Sequence, residues 1–313
     1  MSKIAVFGSF ILDNVAYMDR FPAPGETIIG KELKLFPGGK GANQCIALAR
    51  QGNDVVMLGM VGNDSNGEMF RDLFKSEGID DKCIFVSKDK LTGCAQIQIN
   101  KESQNRICVL PNANHDFLDG EFEKCKEVIK SSSMLICQLE MRIDITAKMI
   151  KFAHENGIKV ILNPAPAIKL DDELLSCVDY LIPNETELAI LSDCPTDSVE
   201  EAILASKKLM EKNVKNLIVT LGSKGALLVN DKGSYLISSY HVKAVDTVAA
   251  GDSFIGAFAS ALDRGLDEID AIKYANAMGA LTVQVPGAIP SLHRRDEVEK
   301  FIKENEELKV ERI

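Results

Sequence analysis

Between residues 244 and 254 the chain reads AVDTVAAGDSF, in which Asp246 and Asp252 bracket the small run Ala249-Ala250-Gly251 just ahead of a long apolar helical pattern. Aspartates at a helix start commonly serve as caps, because a carboxylate accepts first-turn N–H groups and complements the helix dipole. The small run permits a second chemistry. Bare backbone N–H groups converging at a positive helix end make a seat for a phosphate or a developing anion. Asp252 would then be a base held beside that anion.

Two further glycine-rich stretches bear on the same question. PGGKGANQ, residues 37–44, is not a Walker A loop, since Gly41 follows Lys40 and the required upstream glycine is missing; nor does it fit G-x-G-x-x-G. It offers close backbone approach and an amide, Asn43, near a helix start, which suits the hydroxyls of a polar ligand. A plain glycine turn before a helix accounts for it equally well. TLGSKG, residues 220–225, reads as a turn between two strands whose glycines would admit a nucleotide across a sheet edge.

These residues can act together only if the fold brings them to one edge. KIAVFG reads as a buried strand, and KGANQCIALARQG as a helix with Ala42, Cys45, Ile46 and Ala49 at helical spacing. DVVMLGMVG and GEMFRDLFKSEG follow as strand and helix, and from MLICQLE onward apolar strands alternate with helices. That alternation predicts an α/β fold with a doubly wound, mostly parallel sheet covered on both faces. The expected organisation is one domain over residues 1–313, with a small discontinuous β-sheet lid drawn from about 11–37 and 83–112. Ligands of such sheets sit outside the carboxyl ends of the strands. Asp13, Glu140, Asn163, Asn184, Glu187, Thr220 and Gly222 all fall just after strand patterns. Asn184 alone reads better as a helix N-cap, but so many polar residues at one edge point to one pocket.

Composition excludes several classes of partner. A net charge of −10 argues against nucleic acid or an anionic membrane surface and for a small-molecule ligand. The start MSKIAVFGSF has no leader pattern and no charge-free apolar run reaches spanning length, so a cytoplasmic protein is expected. Eight cysteines without a C-x-x-C pair make structural zinc unexpected and fit free, buried thiols in a reducing compartment. Disorder is expected nowhere except in the tail KENEELKVERI.

The motifs GSFILD, FPAPGET, GGKGANQ, QLE, NPAPA, PNETE, VTLGSKGA and AVDTVAAGDSF, in this order from about residue 3 to 304, resemble the ribokinase-like (phosphofructokinase B) carbohydrate kinase family. The resemblance implies ATP-dependent phosphoryl transfer to a primary sugar hydroxyl, and a β-lid that often forms a homodimer interface. Asp252 matches the family's catalytic base, and the amides of Ala249, Ala250 and Gly251 match its anion hole. Asn184 and Glu187 resemble its organisers of Mg²⁺ and phosphate, acting through metal-bound waters. Thr220, Gly222 and Gly225 resemble the nucleotide loop, and Asn276 falls where the family faces adenine, although a polar residue in KYANAMGA also reads as exposed helix. Asp246 resembles a monovalent-cation ligand, with the carbonyls of Val248, Thr282, Val285 and Gly287 and with Ser291, which implies K⁺ stimulation; a turn carboxylate is the other reading. Asp13, Gly39, Lys40, Asn43 and Glu140 match the sugar-contacting positions.

At the sugar end the chain departs from the pattern. Members acting on ribose usually carry Asn two residues before the first of these aspartates, whereas this chain has Ile11, and members acting on 2-deoxyribose carry an apolar residue there. PNAN, residues 111–114, also puts Asn112 where a glycine is usual. The resemblance as a whole puts the 5-hydroxyl of D-ribose first, with 2-deoxy-D-ribose close and another furanose or a nucleoside behind. A non-catalytic sugar- or nucleotide-binding regulator is the reading from another class; intact Asp252, its small-residue run and NETE weigh against it. A dinucleotide-dependent oxidoreductase lacks its G-x-G-x-x-G after the first strand.

Overall fold

The computed structural model describes residues 3–313. In chain order the elements are β1 (Lys3–Phe7), β2 (Ile11–Tyr17), β3 (Glu32–Gly38), α1 (Lys40–Arg50), β4 (Asp54–Gly62), α2 (Ser65–Ser76), β5 (Asp80–Ser87), β6 (Cys94–Ile99), β7 (Asn105–Leu110), α3 (Asp119–Lys130), β8 (Ser132–Cys137) and α4 (Ile143–Glu155). The second half adds β9 (Lys159–Leu162), α5 (Asp172–Ser176), β10 (Tyr180–Leu181), α6 (Glu185–Ser192), α7 (Val199–Met210), β11 (Asn216–Thr220), β12 (Ala226–Asn230), β13 (Gly233–Ile237), α8 (Ala250–Asp263), α9 (Glu268–Thr282), α10 (Arg295–Glu304) and β14 (Val310–Arg312).

Ten strands form one sheet in the order β14-β13-β12-β11-β10-β9-β8-β1-β4-β5. All neighbours from β11 to β5 run parallel, and β12 to β14 add an antiparallel flank. The parallel strands are buried on both faces, which explains their near-continuous apolar sequences. Ile4 and Val6 of β1 join one apolar layer with α1, α8 and α9, while Ala5 and Phe7 join the other with α3, α4 and α7. β1 lies between β4 on one side and β8 on the other, so the winding reverses there and opens a crevice at the carboxyl edge.

A separate four-stranded sheet has the order β3-β2-β6-β7, with β2 parallel to β6 and the outer pairs antiparallel. Residues 83–87 do not belong to it, contrary to expectation. They lie in β5 and pair with β4 from Cys83↔Leu58 to Ser87↔Gly62. The preceding helix α2 makes β4-α2-β5 a crossover unit, which demands a parallel partner in the main sheet. The charged tail is ordered rather than disordered, since β14 pairs with β13 through Arg312↔Tyr235 and Val310↔Ile237. All eight cysteines are free; Cys108 is exposed and Cys94 and Cys194 are half-buried, so only five are the buried thiols expected. Among the described residues no helix is long and apolar enough to cross a membrane, and no cluster of three His, Cys, Asp or Glu could hold a metal.

Candidate active site

Asp252 is the third residue of α8, and the helix enters through Ala249 at φ 61° and ψ 7°. A left-handed conformation costs a non-glycine residue about 1–2 kcal/mol, a local strain of the kind met at functional sites. The first turn opens into a cavity of about 200 Å³ whose lining includes Lys40, Asn184, Glu187, Thr220, Ala249, Gly251 and Asp252. A Cβ on Gly251 would meet nothing within 4 Å, so its backbone faces open space. The first-turn amides of Gly251 and Asp252 have no intrahelical acceptor, as at any helix start. The Ala250 N–H differs, because it already donates to the Thr247 carbonyl over a long 3.3 Å.

The Asp252 carboxylate is held from α1. Asn43 Nδ2 donates to Oδ2 at 2.8 Å, and Gln44 Nε2 donates to Oδ1 at 2.9 Å. Two glycines let α1 reach this position. Gly39 has φ 91°, and a Cβ there would stand 2.7 Å from the Ile11 nitrogen; a Cβ at Gly41 would stand 2.4 Å from the Ser9 nitrogen. The close backbone approach expected of PGGKGANQ is thus made to the chain's own β1–β2 connection. On the other side Asn114 clamps that connection, accepting from the Phe10 N–H at 2.9 Å and donating to the Phe10 carbonyl at 2.8 Å. Asn112 of the same PNAN stretch sits at φ 47°, the region a glycine there would favour.

The remaining residues expected at the sugar end gather around this start of α1. Glu140 accepts the Lys40 N–H at 2.9 Å and a short bond from the Ser9 hydroxyl. Ile11 and Asp13 point to the same face of β2, and a Cβ at the neighbouring Gly38 would lie 3.5 Å from Asp13 Oδ2 and 3.9 Å from Asn43 Oδ1. Burial pushes the Asp13 carboxyl up to about 6, with the Glu140 charge adding to the rise. Burial also raises Glu140, against the opposing pull of the Lys40 ammonium. For Lys40 burial acts downward, yet the charges of Asp252, Glu140 and Glu187 outweigh it and hold the ammonium above its ordinary value. One half-buried cation therefore stands among three carboxylates and partly offsets their charge.

Towards β10 and β11 the site becomes a helix start. Asn184 caps α6 by accepting the Glu187 N–H at 2.8 Å, and Glu187 accepts the Asn184 N–H at 2.9 Å in return, a reciprocal capping box. The cap reading of Asn184 is correct, and the same two side chains still line the cavity. Burial raises the Glu187 carboxyl, with Lys40 pulling the other way. Gly222 sits at φ 56° with open space at its Cβ position, whereas a Cβ at Gly225 would strike the Ile237 carbonyl oxygen at 2.0 Å. Gly225 is therefore required by the turn itself. Asn276 lies outside the cavity and is buried rather than exposed, donating to the Ser238 carbonyl at 2.9 Å.

Asp246 ties two loops together behind α8, accepting from the Val248 N–H at 3.0 Å and the Gly287 N–H at 2.9 Å. The second of these loops holds Val285 and Gly287 and leads to Ser291, whose hydroxyl donates to the Ala288 carbonyl; Thr282 ends the helix before it and donates to the Met278 carbonyl. Both hydroxyl-bearing residues are fully buried. Ser9, Gln44, Gln138 and Asn114 are site residues that the motif reading left unassigned. Ser9, Gln44 and Gln138 carry a sequence signal as isolated polar residues within or just after apolar patterns, whereas Asn114 in the polar stretch PNANHD carries none.

A doubly wound sheet with a carboxylate, a half-buried lysine and a helix start meeting at its carboxyl edge fits a phosphotransferase-type site. The comparisons make the class specific. The chain belongs to the pfkB family of carbohydrate kinases, whose model matches residues 1–295, and it is an ATP-dependent sugar kinase. It is 37% identical to the ribokinase of Haemophilus influenzae over 96% of this chain and 98% of that one. It is also 34% identical to the deoxyribokinase of Salmonella typhi, covering 97% of this chain and 99% of that protein. Its fold matches the structure of Arabidopsis thaliana ribokinase complexed with ribose and ATP, with TM-score 0.91, 31% identity and coverage of 96% and 99% of the two chains.

Proposed function

We propose that the chain transfers the γ-phosphoryl group of ATP to the 5-hydroxyl of D-ribose, giving D-ribose 5-phosphate and ADP. The observation that carries this reading is the position of Asp252, a carboxylate at the open first turn of α8 that shares one cavity with Lys40 and Glu187. Asp252 takes the proton of the attacking hydroxyl, while the Gly251 amide and the Lys40 ammonium meet the charge of the moving phosphoryl group. Phosphoryl transfer needs alignment and charge stabilisation more than covalent help, so these groups suffice. Asp13, Asn43 and Glu140, with the backbone of Gly39, bind and orient the sugar. Thr220, Gly222 and Gly225 form the loop against which the nucleotide lies, and Asn276 holds α9 beside it.

Asn184 and Glu187 would hold the Mg²⁺ that accompanies ATP, through water, since both line the cavity and an ion reluctant to shed its waters binds through them and the phosphates. When bound, it neutralises phosphate charge. Asp246, the carbonyls of Val248, Thr282, Val285 and Gly287, and Ser291 would hold K⁺, since Asp246 already draws together the two loops that carry them. A homodimer through the small sheet follows from its apolar outer strands, where Leu33, Leu35, Ile107 and Val109 are each more than half exposed. A monomer in sedimentation at micromolar concentration would remove that reading. The eight free thiols suit a cytoplasmic setting.

A second substrate, 2-deoxy-D-ribose, is favoured by one specific residue. Ile11 is only 5% exposed and shares the Asp13 face, so it presents apolar surface where an amide could meet a hydroxyl. Coupled ADP release with each pentose tests both readings. Turnover with ribose and formation of the 5-phosphate are expected, and failure of both pentoses would overturn the proposal.

A further inference from the structure

Behind Asp252 lies a chain of buried amides, of which Asn163 reaches the cavity lining and Gln44 and Gln138 do not. Gln44 and Gln138 are fully buried, and Asn163 nearly so. Gln138 Nε2 donates to Gln44 Oε1 at 2.7 Å, and Gln44 Nε2 in turn donates to Asp252 Oδ1 at 2.9 Å, with Asn163 Oδ1 also in reach at 3.3 Å. An amide has one accepting and one donating end and a carboxylate only accepts, so the NH₂ end of Gln44 faces Asp252 and the bond from Gln138 holds its oxygen end. With Gln138 in place, the Gln44 oxygen is occupied and its NH₂ group must point to Asp252.

Asn43 plays a different part on the other carboxylate oxygen. Its own Oδ1 is buried without a hydrogen-bond partner among the described residues, and it lies on the Asp13 side of the site. That free acceptor is available to a sugar hydroxyl, so the Asn43 contact with Oδ2 is open to rearrangement when a ligand arrives. The Gln44 contact with Oδ1 is not, because every partner of Gln44 is protein.

We propose that Gln44, set by Gln138, is a positioning residue for phosphoryl transfer: it fixes the plane of the Asp252 carboxylate from behind, so that Oδ2 is presented to the sugar hydroxyl. The inference rests on the reading of Asp252 as the base. Hydrogen bonds buried in this way are strong, and aligning the reacting groups accounts for large factors in rate.

The test is a kinetic double-mutant cycle on Gln44→Met and Gln138→Met, both close to isosteric, with cooperative unfolding measured beside each. Gln44→Met is expected to lower kcat roughly 10- to 100-fold while KM for the pentose stays within about threefold, because only transition-state alignment is lost. Gln138→Met is expected to lower kcat about three- to tenfold in the parent and to have no effect in the Gln44→Met background, since it acts only through Gln44. Should Gln44→Met fail to fold, Gln44→Leu, which also lacks any hydrogen-bonding group, carries the same expectation. An unchanged kcat, a loss appearing wholly in KM, or independent multiplicative losses would overturn the inference. Asp252→Asn separates the two readings: if it is inert while Gln44→Met is normal, only the positioning role fails, and if it is active, the base itself is wrong.

Discussion

Replacing Ile11 by Asn should move the enzyme's preference between ribose and 2-deoxyribose. Ile11 is 5% exposed and lies on the β2 face that carries Asp13, beside Gly38. Its side chain offers the sugar no hydrogen bond, so the two pentoses differ little in what they gain from this position. An amide there would gain a partner in the 2-hydroxyl of ribose and lose it with deoxyribose. A buried polar group left unpaired costs about 1–3 kcal/mol, which corresponds to roughly 5- to 150-fold in relative kcat/KM. Removing a buried isoleucine should also lower stability by about 2 kcal/mol. The assay is the ratio of kcat/KM for the two sugars, measured with Ile11 and with Ile11→Asn under the same ATP concentration. A ratio that moves toward ribose by tenfold or more fits the pocket described above. A ratio unchanged within twofold would show that Ile11 does not face the sugar.

Three further outcomes test separate parts of the site. Because burial and Glu140 raise the Asp13 carboxyl to about 6, kcat/KM for the sugar should fall by about tenfold per pH unit below 6, where the carboxylate is lost; the sign is that of a binding group active only above its raised value, and a profile flat to pH 5 would contradict it. In Gly41→Ala the new Cβ would press on backbone atoms of Ser9 and Gly8 at 2.4 and 2.5 Å, so a stability loss of about 1–3 kcal/mol by thermal unfolding and a weakened sugar KM should appear together. Asp246→Ala should abolish any stimulation by K⁺ and lower kcat more than KM for ATP, and equal turnover of the parent enzyme in K⁺ and in K⁺-free, Na⁺-free buffer would refute the cation site.

The apolar runs and their helical partners make the doubly wound sheet legible in the sequence, because parallel strands buried on both faces leave a strong pattern. The terminal strand β14 did not show, because three mostly polar residues at a sheet edge carry no such pattern. β5 was misplaced for a related reason: alternation identifies a strand but says nothing about which sheet it joins. At the site, motifs marked Asp252, Asn43, Lys40 and Glu187, since they sit in glycine-rich or capped helix starts. Gln44 and Gln138 stayed hidden because their meaning lies in contacts 94 residues apart along the chain. The Ala250 amide could not be placed from sequence either, since its partner depends on the left-handed turn at Ala249.

Asp252→Asn, assayed for product formation at saturating ATP and pentose, tests the central claim most directly. The exchange leaves one of the two donors, Asn43 or Gln44, facing an NH₂ group, so unfolding and nucleotide binding must be measured on the same sample. The account predicts a folded protein that binds nucleotide and turns over roughly 10²- to 10⁴-fold more slowly. A folded Asp252→Asn enzyme with near-normal turnover would contradict it.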